Sequence, residues 1–269
     1  TYNQNFVSGK SSNSAEYYIP NIYNTFINST VRYSLDENRN YVEGVSLNRP
    51  FYSALVSWAG GISFQQQLNR ELLTDFDSSH FMQTYKSNTQ DYWLGRAWRI
   101  FNGKTENQST TNLISSFRYN RTDYLQRAES RLDTLNLHPS KEFYLADVGI
   151  SKRQYKQDNY IFRYGYTEDV PTGFAYFLIG GYEIKNKIPR WYFGSRVYMA
   201  NYHEWGYFNL YFESGTYLKH SRAEEGSCLA GINYFSNILK IGRWQLRQFI
   251  KPQYLIGFNR LKSDKLSLE

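Results

Sequence analysis

Hydrophobic and polar side chains alternate along this chain, and the alternation is clearest over residues 26–35. One set of alternate positions is mostly apolar: Ile27, Ser29, Val31, Tyr33 and Leu35. The other set is mostly polar: Phe26, Asn28, Thr30, Arg32 and Ser34. Successive side chains of a β-strand point to opposite faces of a sheet. The pattern therefore predicts a strand with one apolar face and one polar face.

The same alternation recurs at many places and predicts an all-β chain. Further strands are predicted at 41–49, 58–68, 89–100, 112–120, 142–152, 159–167, 174–185, 191–200, 207–219, 228–235 and 244–259. The last of these is longer than most strands of sandwich folds. Strands that follow one another with short connections form antiparallel hairpins, so a meander of long hairpins is expected.

Turn-forming residues separate the predicted strands, at 20–21, 36–40, 102–104, 169–173, 186–189 and 225–226. Two connections, 69–88 and 122–141, are much longer and are expected to be the external loops of a barrel. The glycine pairs at 60–61 and 180–181 fall within strands and are interpreted as bends. No repeat, linker or low-complexity tract divides the chain, so residues 1–269 are expected to form a single outer-membrane barrel domain.

Composition favours a membrane barrel over a soluble domain. Mean hydropathy is low at −0.64, yet 19% of the residues are aromatic, with 26 Tyr, 18 Phe and 6 Trp. A disordered chain has few aromatic residues, and a soluble core draws more on Leu, Val and Ile. No segment approaches the about 18 apolar residues that a membrane-spanning helix requires. Barrel strands need only about 9–11 alternating residues, so a transmembrane antiparallel β-barrel is predicted.

The charge distribution argues against nucleic acid as a partner. The net charge is +7, but the basic residues are interleaved with 24 acidic ones and form no basic stripe. A dispersed basic excess suits anionic lipid head groups or a polar lumen. If the chain forms a pore, the arginines expected to line its lumen are Arg32, Arg118, Arg163, Arg196 and Arg247.

Tryptophans near predicted strand ends are interpreted as an aromatic girdle at the lipid interface. The girdle residues are Trp58, Trp98, Trp191, Trp205 and Trp244. The rival interpretation is a carbohydrate-binding β-sandwich, which uses exposed aromatic rings as stacking platforms. A sandwich requires apolar inner faces on all strands and shorter strands, so the barrel is preferred.

No pattern of catalytic, metal-binding or cofactor-binding residues emerges. Cys228 is the only cysteine, which excludes an intramolecular disulfide. His203 and Glu204 are adjacent, but Tyr207 stands where a helical zinc motif requires its second histidine. His80, His138 and His220 lie in separate segments without ligand spacing. A non-enzymatic protein without cofactor or metal is therefore predicted.

Three segments resemble outer-membrane assembly and translocation barrels of the BamA/TamA-like superfamily, in its surface-antigen branch. They are NRPFYSALVSWAGG at 48–61, FRYGYTEDVPTG at 162–173 and GRWQLRQFIKPQYLIGFNR at 242–260. The resemblance implies a barrel of about 16 strands, preceded by periplasmic domains. The Arg-Gly-Phe or Arg-Gly-Tyr motif of that superfamily is absent, so this chain is expected to be the first part of a longer barrel.

The resemblance also implies a function and a location. It implies a non-enzymatic protein of a Gram-negative-type outer membrane that assembles, inserts or translocates outer-membrane or surface proteins, or lipids. The implied partners are outer-membrane lipid, lipopolysaccharide, client β-barrel proteins and other outer-membrane subunits. Residues 1–18 are expected to lie near a weak seam that templates a client strand. The alternative is a passive pore or a structural subunit of an outer-membrane complex.

Overall fold

The polypeptide is built almost entirely of antiparallel strands. The computed structural model describes residues 2–7, 10–74, 80–101, 110–127, 138–161, 163, 165–219 and 222–260. The strands are β1 (Tyr2–Val7), β2 (Lys10–Ile19), β3 (Asn28–Leu35), β4 (Tyr41–Arg49), β5 (Trp58–Thr74), β6 (His80–Arg99), β7 (Thr111–Gln126), β8 (Lys141–Asn159), β9 (Thr167–Lys185), β10 (Ile188–His203), β11 (Gly206–Lys219), β12 (Arg222–Ser236), β13 (Leu239–Ile241), β14 (Trp244–Leu246), β15 (Phe249–Ile250) and β16 (Gln253–Phe258). A 3-10 turn at Ile22–Asn24 precedes β3.

One 14-stranded sheet contains all of these strands except β13 and β14. Each strand from β1 to β12 pairs with the next along the chain, and β15 and β16 both pair with β12. Among the described residues, β1 does not pair with β15 or β16, so the sheet is open. The predicted all-β meander is confirmed, whereas a closed barrel is not seen. A second large sheet, which a β-sandwich requires, is not present in the described part of the chain.

Local chemistry explains the tight turns. The Asp36 carboxylate accepts hydrogen bonds from the backbone N–H groups of Asn38 (2.8 Å) and Asn40 (2.7 Å). Asn186 and Lys187 form a two-residue turn with φ of 51° and 66°. Two consecutive residues with positive φ are typical of the two-residue hairpin turn whose twist matches that of the flanking strands. The turn predicted at 36–40 is therefore confirmed. The turn predicted at 186–189 is confined to 186–187, because Ile188 and Pro189 already belong to β10.

Several predicted boundaries are wrong. Residues 159–167 connect two strands rather than forming one, because β8 ends at Asn159 and β9 begins at Thr167. Residues 69–88 form no long loop, since β5 continues to Thr74 and β6 begins at His80. The turn predicted at 169–173 lies inside β9, and that at 225–226 lies inside β12. The connection between β7 and β8 is long, as predicted, while most of it and the turn at 102–104 lie outside the described residues.

The strand predicted at 244–259 divides into three parts. Trp244–Leu246 turns away to pair with β13, while β15 and β16 keep one continuous register against β12. Pro252 interrupts that edge because proline has no N–H to donate, although its carbonyl accepts a hydrogen bond from the Ile232 N–H at 3.0 Å.

In the described part of the chain, no helix is long and apolar enough to cross a membrane.

The two faces of the sheet are different in chemistry. We call them the apolar face, which carries Val31, Leu94, Phe117, Leu178 and Phe193, and the polar face, which carries Asp91, Arg118, Glu183, Arg190 and Asn209. The polar face is concave. The rings of Phe143 on β8 and Tyr217 on β11 approach to 5.9 Å on that face, although three strand spacings in a flat sheet amount to about 14 Å.

Candidate functional site

The distribution of burial is inverted relative to a soluble domain. Large apolar side chains on the apolar face are exposed, with Leu178 at 69%. On the polar face the Glu183 side chain is only 2% exposed, and Asp91, Asn112 and Asn209 are also buried. Soluble proteins rarely expose contiguous apolar patches of more than a few hundred Å² without a binding function. The apolar face is therefore the first candidate functional surface.

A row of aromatic residues crosses the apolar face on five adjacent strands. Tyr92, Tyr119, Tyr144, Tyr182 and Trp191 are consecutive cross-strand partners from β6 to β10. We call these five residues the aromatic row. Ring centroids lie 4.9 Å apart between Tyr119 and Tyr144 and 5.0 Å apart between Tyr182 and Trp191. Such pairs stabilise adjacent strands beyond the area they bury.

The aromatic row separates two zones of the apolar face. We call the sheet end that holds the turns at 36–40 and 186–187 the first end. Toward it, the next cross-strand positions are Gln90, Arg121, Glu142, Ile184 and Pro189, of which the first three are polar. Toward the opposite, second end, they are Leu94, Phe117, Ala146, Gly180 and Phe193. From Trp191 to Met199 the apolar zone extends about 27 Å along β10. An apolar band bounded by aromatic rings thus covers this face.

The predicted girdle tryptophans are distributed over both ends of this band. Trp58, Trp98 and Trp191 occupy apolar-face positions. Trp205, in the turn between β10 and β11, stacks on His203 at 4.8 Å and contacts Phe208. Trp244 lies apart from them in the β13–β14 hairpin. That these rings meet a lipid interface stays a prediction.

Ion pairs on the polar face include one that is almost completely buried. Arg190 on β10 binds Glu183 on β9 and, at 2.9 Å, Glu225 on β12. Lys185 also binds Glu225, at 3.0 Å. The Arg190 guanidinium lies over the Tyr217 ring, 3.7 Å from its centroid. Because charges are costly to bury without partners, this cluster ties β9, β10 and β12 together.

Three of the arginines predicted to line a lumen project from strands onto the polar face. Arg32 donates to Gln65 at 3.0 Å, Arg118 pairs with Asp91, and Arg196 pairs with Glu213 at 2.9 Å. Arg247, between β14 and β15, also reaches this face and lies over the Phe235 ring. Arg163 is exposed in the connection between β8 and β9. Whether these side chains line a lumen stays a prediction.

The tip of the β8–β9 hairpin folds over the polar face at the second end. Val170 is buried with Ala200, Tyr207 and Phe235, and Ile161 packs against this cluster. The Tyr207 hydroxyl donates to the Pro171 carbonyl at 2.9 Å. Gly173, with φ of 122°, lies where β9 passes from the sheet into this tip. The tip therefore covers part of the concave surface.

An ion pair fixes the folded tip. Arg247 binds the Asp158 carboxylate at 3.0 Å, and the Tyr202 hydroxyl donates to the same carboxylate at 3.0 Å. Asp158 lies beyond Lys152 on β8, outside the apolar band. Burial raises the pKa of Asp158, but hydrogen bonds from Arg247, the Asn159 backbone and Tyr202 outweigh burial and lower that pKa overall. The carboxylate is thus ionised at neutral pH and holds Arg247.

The described residues contain no group of three or more His, Cys, Asp or Glu side chains that could hold a metal ion. His138 packs against the rings of Tyr85 and Tyr124, and His203 against Trp205. His220 lies outside the described residues, as does the side chain of His80. The absence of a catalytic site and of a cofactor stays a prediction.

Comparison of the chain with protein-family models, with curated proteins and with solved structures finds no significant match in any of the three. The resemblance to the BamA/TamA-like superfamily therefore stays a prediction.

Sequence patterns alone missed two features of these faces. The aromatic row is mostly tyrosine, and its members come together only through strand register, although each tyrosine occupies an alternating apolar position. The buried cluster joins Glu183 and Arg190, which face each other across the β9–β10 hairpin, to Glu225, which is 35 residues from Arg190 in the sequence. The charged residues near the ends of predicted strands could be recognised from the sequence as polar positions. The residues with which they form ion pairs could not be predicted from the sequence.

Proposed function

We propose that this chain is a non-enzymatic wall of an outer-membrane β-barrel, with the apolar face toward lipid and the concave polar face inward. The inverted burial supports this proposal. Lipid tails would cover Leu178, Phe117 and their neighbours, while the backbone hydrogen bonds are satisfied between strands. The aromatic row would lie at one membrane interface, since Tyr and Trp favour the head-group region.

A charge placed on the apolar face tests this location. In Leu178→Arg the guanidinium would face the bilayer centre, at a cost of about 2–4 kcal/mol. The matched control is Leu239→Arg, because Leu239 is also exposed, at 53%, but lies in the separate β13–β14 hairpin. We expect Leu178→Arg to reduce the fraction of chain that floats with phosphatidylcholine vesicles and Leu239→Arg to leave it unchanged. Equal flotation of both variants and the parent chain would contradict the proposal.

We further propose that this wall assists the assembly, insertion or translocation of β-rich client proteins. The supporting observation is the weak last edge of the sheet, where pairing to β12 is short and interrupted at Pro252. Displacement of this edge would leave the β12 backbone free to pair with a client strand.

A passive pore is the second candidate, favoured by the ion pairs on the concave polar face. The two functions differ in measurable output. An assembly factor accelerates the folding of a client barrel into vesicles that contain it, whereas a pore conducts ions across a planar bilayer without altering that folding rate. Acceleration without conductance would support assembly, and the opposite result would support the pore.

A further inference from the structure

A groove of about 430 Å³ opens on the apolar face at the second end. Its apolar wall is formed by Phe174, Met199, Phe208 and Leu210. Gly173, with φ of 122°, also lines the groove at the point where the β8–β9 hairpin leaves its pairing with β10. A Cβ at that position would collide with the Lys152 carbonyl oxygen. The groove lies beside the hairpin bend and continues the apolar band, since Phe174 and Met199 are cross-strand partners on the apolar face.

The polar end of this groove is basic. Lys152, Gln154, Asn201 and His203 contribute its polar lining, and Lys152 supplies the positive charge. Within the described residues, Lys152 has no carboxylate partner, whereas Arg118, Lys185 and Arg190 on the polar face are all paired. A lysine without a partner beside an apolar groove is available to bind an external anion.

The charges of the apolar face differ between the two ends of the sheet. Toward the second end its strand positions carry Arg49, Arg96 and Lys152, and Arg96 lies 4.1 Å over the Trp58 ring. Toward the first end the acidic residues Glu43, Asp123 and Glu142 are balanced by basic residues on the same face, Arg70, Lys86 and Arg121, and Arg121 pairs with Asp123 and Glu142. Anionic head groups therefore complement the second end better than the first.

We propose that the groove binds one acyl chain of an anionic phospholipid, whose phosphate is held by Lys152. This inference rests on the proposed membrane location. The four apolar residues would cover the acyl chain, and His203 would lie near the head group. The occupant is committed to a phospholipid because a free phosphate would leave the apolar wall uncovered.

The test uses the full chain in vesicles of equimolar phosphatidylcholine and phosphatidylglycerol. The protein is extracted with its bound lipid by a nanodisc-forming polymer, and the ratio of the two lipids is measured. We expect phosphatidylglycerol to be enriched, and Lys152→Gln to lower that enrichment about fivefold, the effect of one lysine near an anionic surface. Leu210→Trp, which fills the groove, should lower it as well.

Lys240→Gln is the matched control, since it removes the same charge from the exposed β13 strand. Equal enrichment for Lys152→Gln and the parent chain would overturn the inference, as would an equal loss in Lys240→Gln. Vesicle flotation separates this failure from that of the proposed function. A chain that floats but shows no enrichment contradicts the lipid site alone, and a chain that never floats contradicts both.

Discussion

Arg190 and Arg196 lie on the same strand and the same face, but their environments differ. The Arg190 side chain is 6% exposed and has two carboxylate partners, while Arg196 is 53% exposed and pairs with Glu213. A buried ion pair contributes little net stability when intact, yet removal of one partner leaves an uncompensated buried charge. An exposed pair contributes less because water screens it.

We therefore predict that Arg190→Met destabilises the fold by about 3–5 kcal/mol and Arg196→Met by at most about 1 kcal/mol. The free energy of unfolding is measured by urea titration in vesicles, followed by tryptophan fluorescence. The double variant Glu183→Gln with Arg190→Met should recover part of the loss, because it removes the unpaired carboxylate. Equal losses for the two single variants would contradict the buried cluster.

At the scale of the element, the β8–β9 hairpin depends on one glycine. Gly173 has φ of 122°, and a Cβ there would collide with the Lys152 carbonyl oxygen. Gly180 lies on the same strand, and a Cβ there would meet no atom within 4 Å. The two positions therefore differ in backbone strain although they share residue type and strand.

We predict that Gly173→Ala destabilises the hairpin by roughly 1–3 kcal/mol, the usual cost of a strained backbone conformation. Gly180→Ala should have little effect. Hydrogen exchange of the amides at 153–172 measures the difference, and exchange should accelerate only in Gly173→Ala. Unchanged exchange in that variant would show that the tip does not require the bend.

A strand could be predicted from the sequence wherever one of its two faces meets an apolar environment and the other a polar one. Residues 26–35 and 191–200 alternate clearly because their two faces differ. Beyond the apolar band both faces are polar, so residues 65–74 lose the period of two, yet backbone pairing continues to Thr74 and His80. Most of β2 is polar for the same reason and was not predicted. Sequence alternation reports the environment of the side chains rather than the extent of the backbone pairing.

The prediction of a strand at 159–167 was wrong for a different reason. Ile161, an apolar residue of this segment, packs onto the core cluster as part of the folded tip rather than pairing in a strand. Contacts of this kind depend on where the hairpin bends, which is at Gly173. Likewise, the ion pair between Asp158 and Arg247 joins residues that only sheet curvature brings together. Candidate charges could be found in the sequence, but their partners could not.

At the scale of the whole molecule, the reactivity of Cys228, the single cysteine, can show which face of the sheet meets lipid. Cys228 pairs across the sheet with Ser214, which pairs in turn with Ser195 and then with Leu178, in the middle of the apolar band. The hydroxyls of Ser195 and Ser214 lie 2.9 Å apart and satisfy each other there. Cys228 should therefore be covered by lipid when the chain is inserted.

We predict that a charged maleimide leaves Cys228 unlabelled in intact vesicles, while a membrane-soluble maleimide labels it. A thiol ionises to the reactive thiolate only in contact with water, so a thiol within lipid reacts slowly with both reagents. Only the membrane-soluble maleimide enters the lipid and can reach it. The matched variant combines Cys228→Ser with Ser227→Cys, which moves the thiol one position along β12 and so onto the polar face. Its thiol should react with the charged reagent, because the concave face would be in contact with water. If the charged reagent labelled Cys228 as fast as the relocated thiol, the apolar face would not be the one that faces lipid.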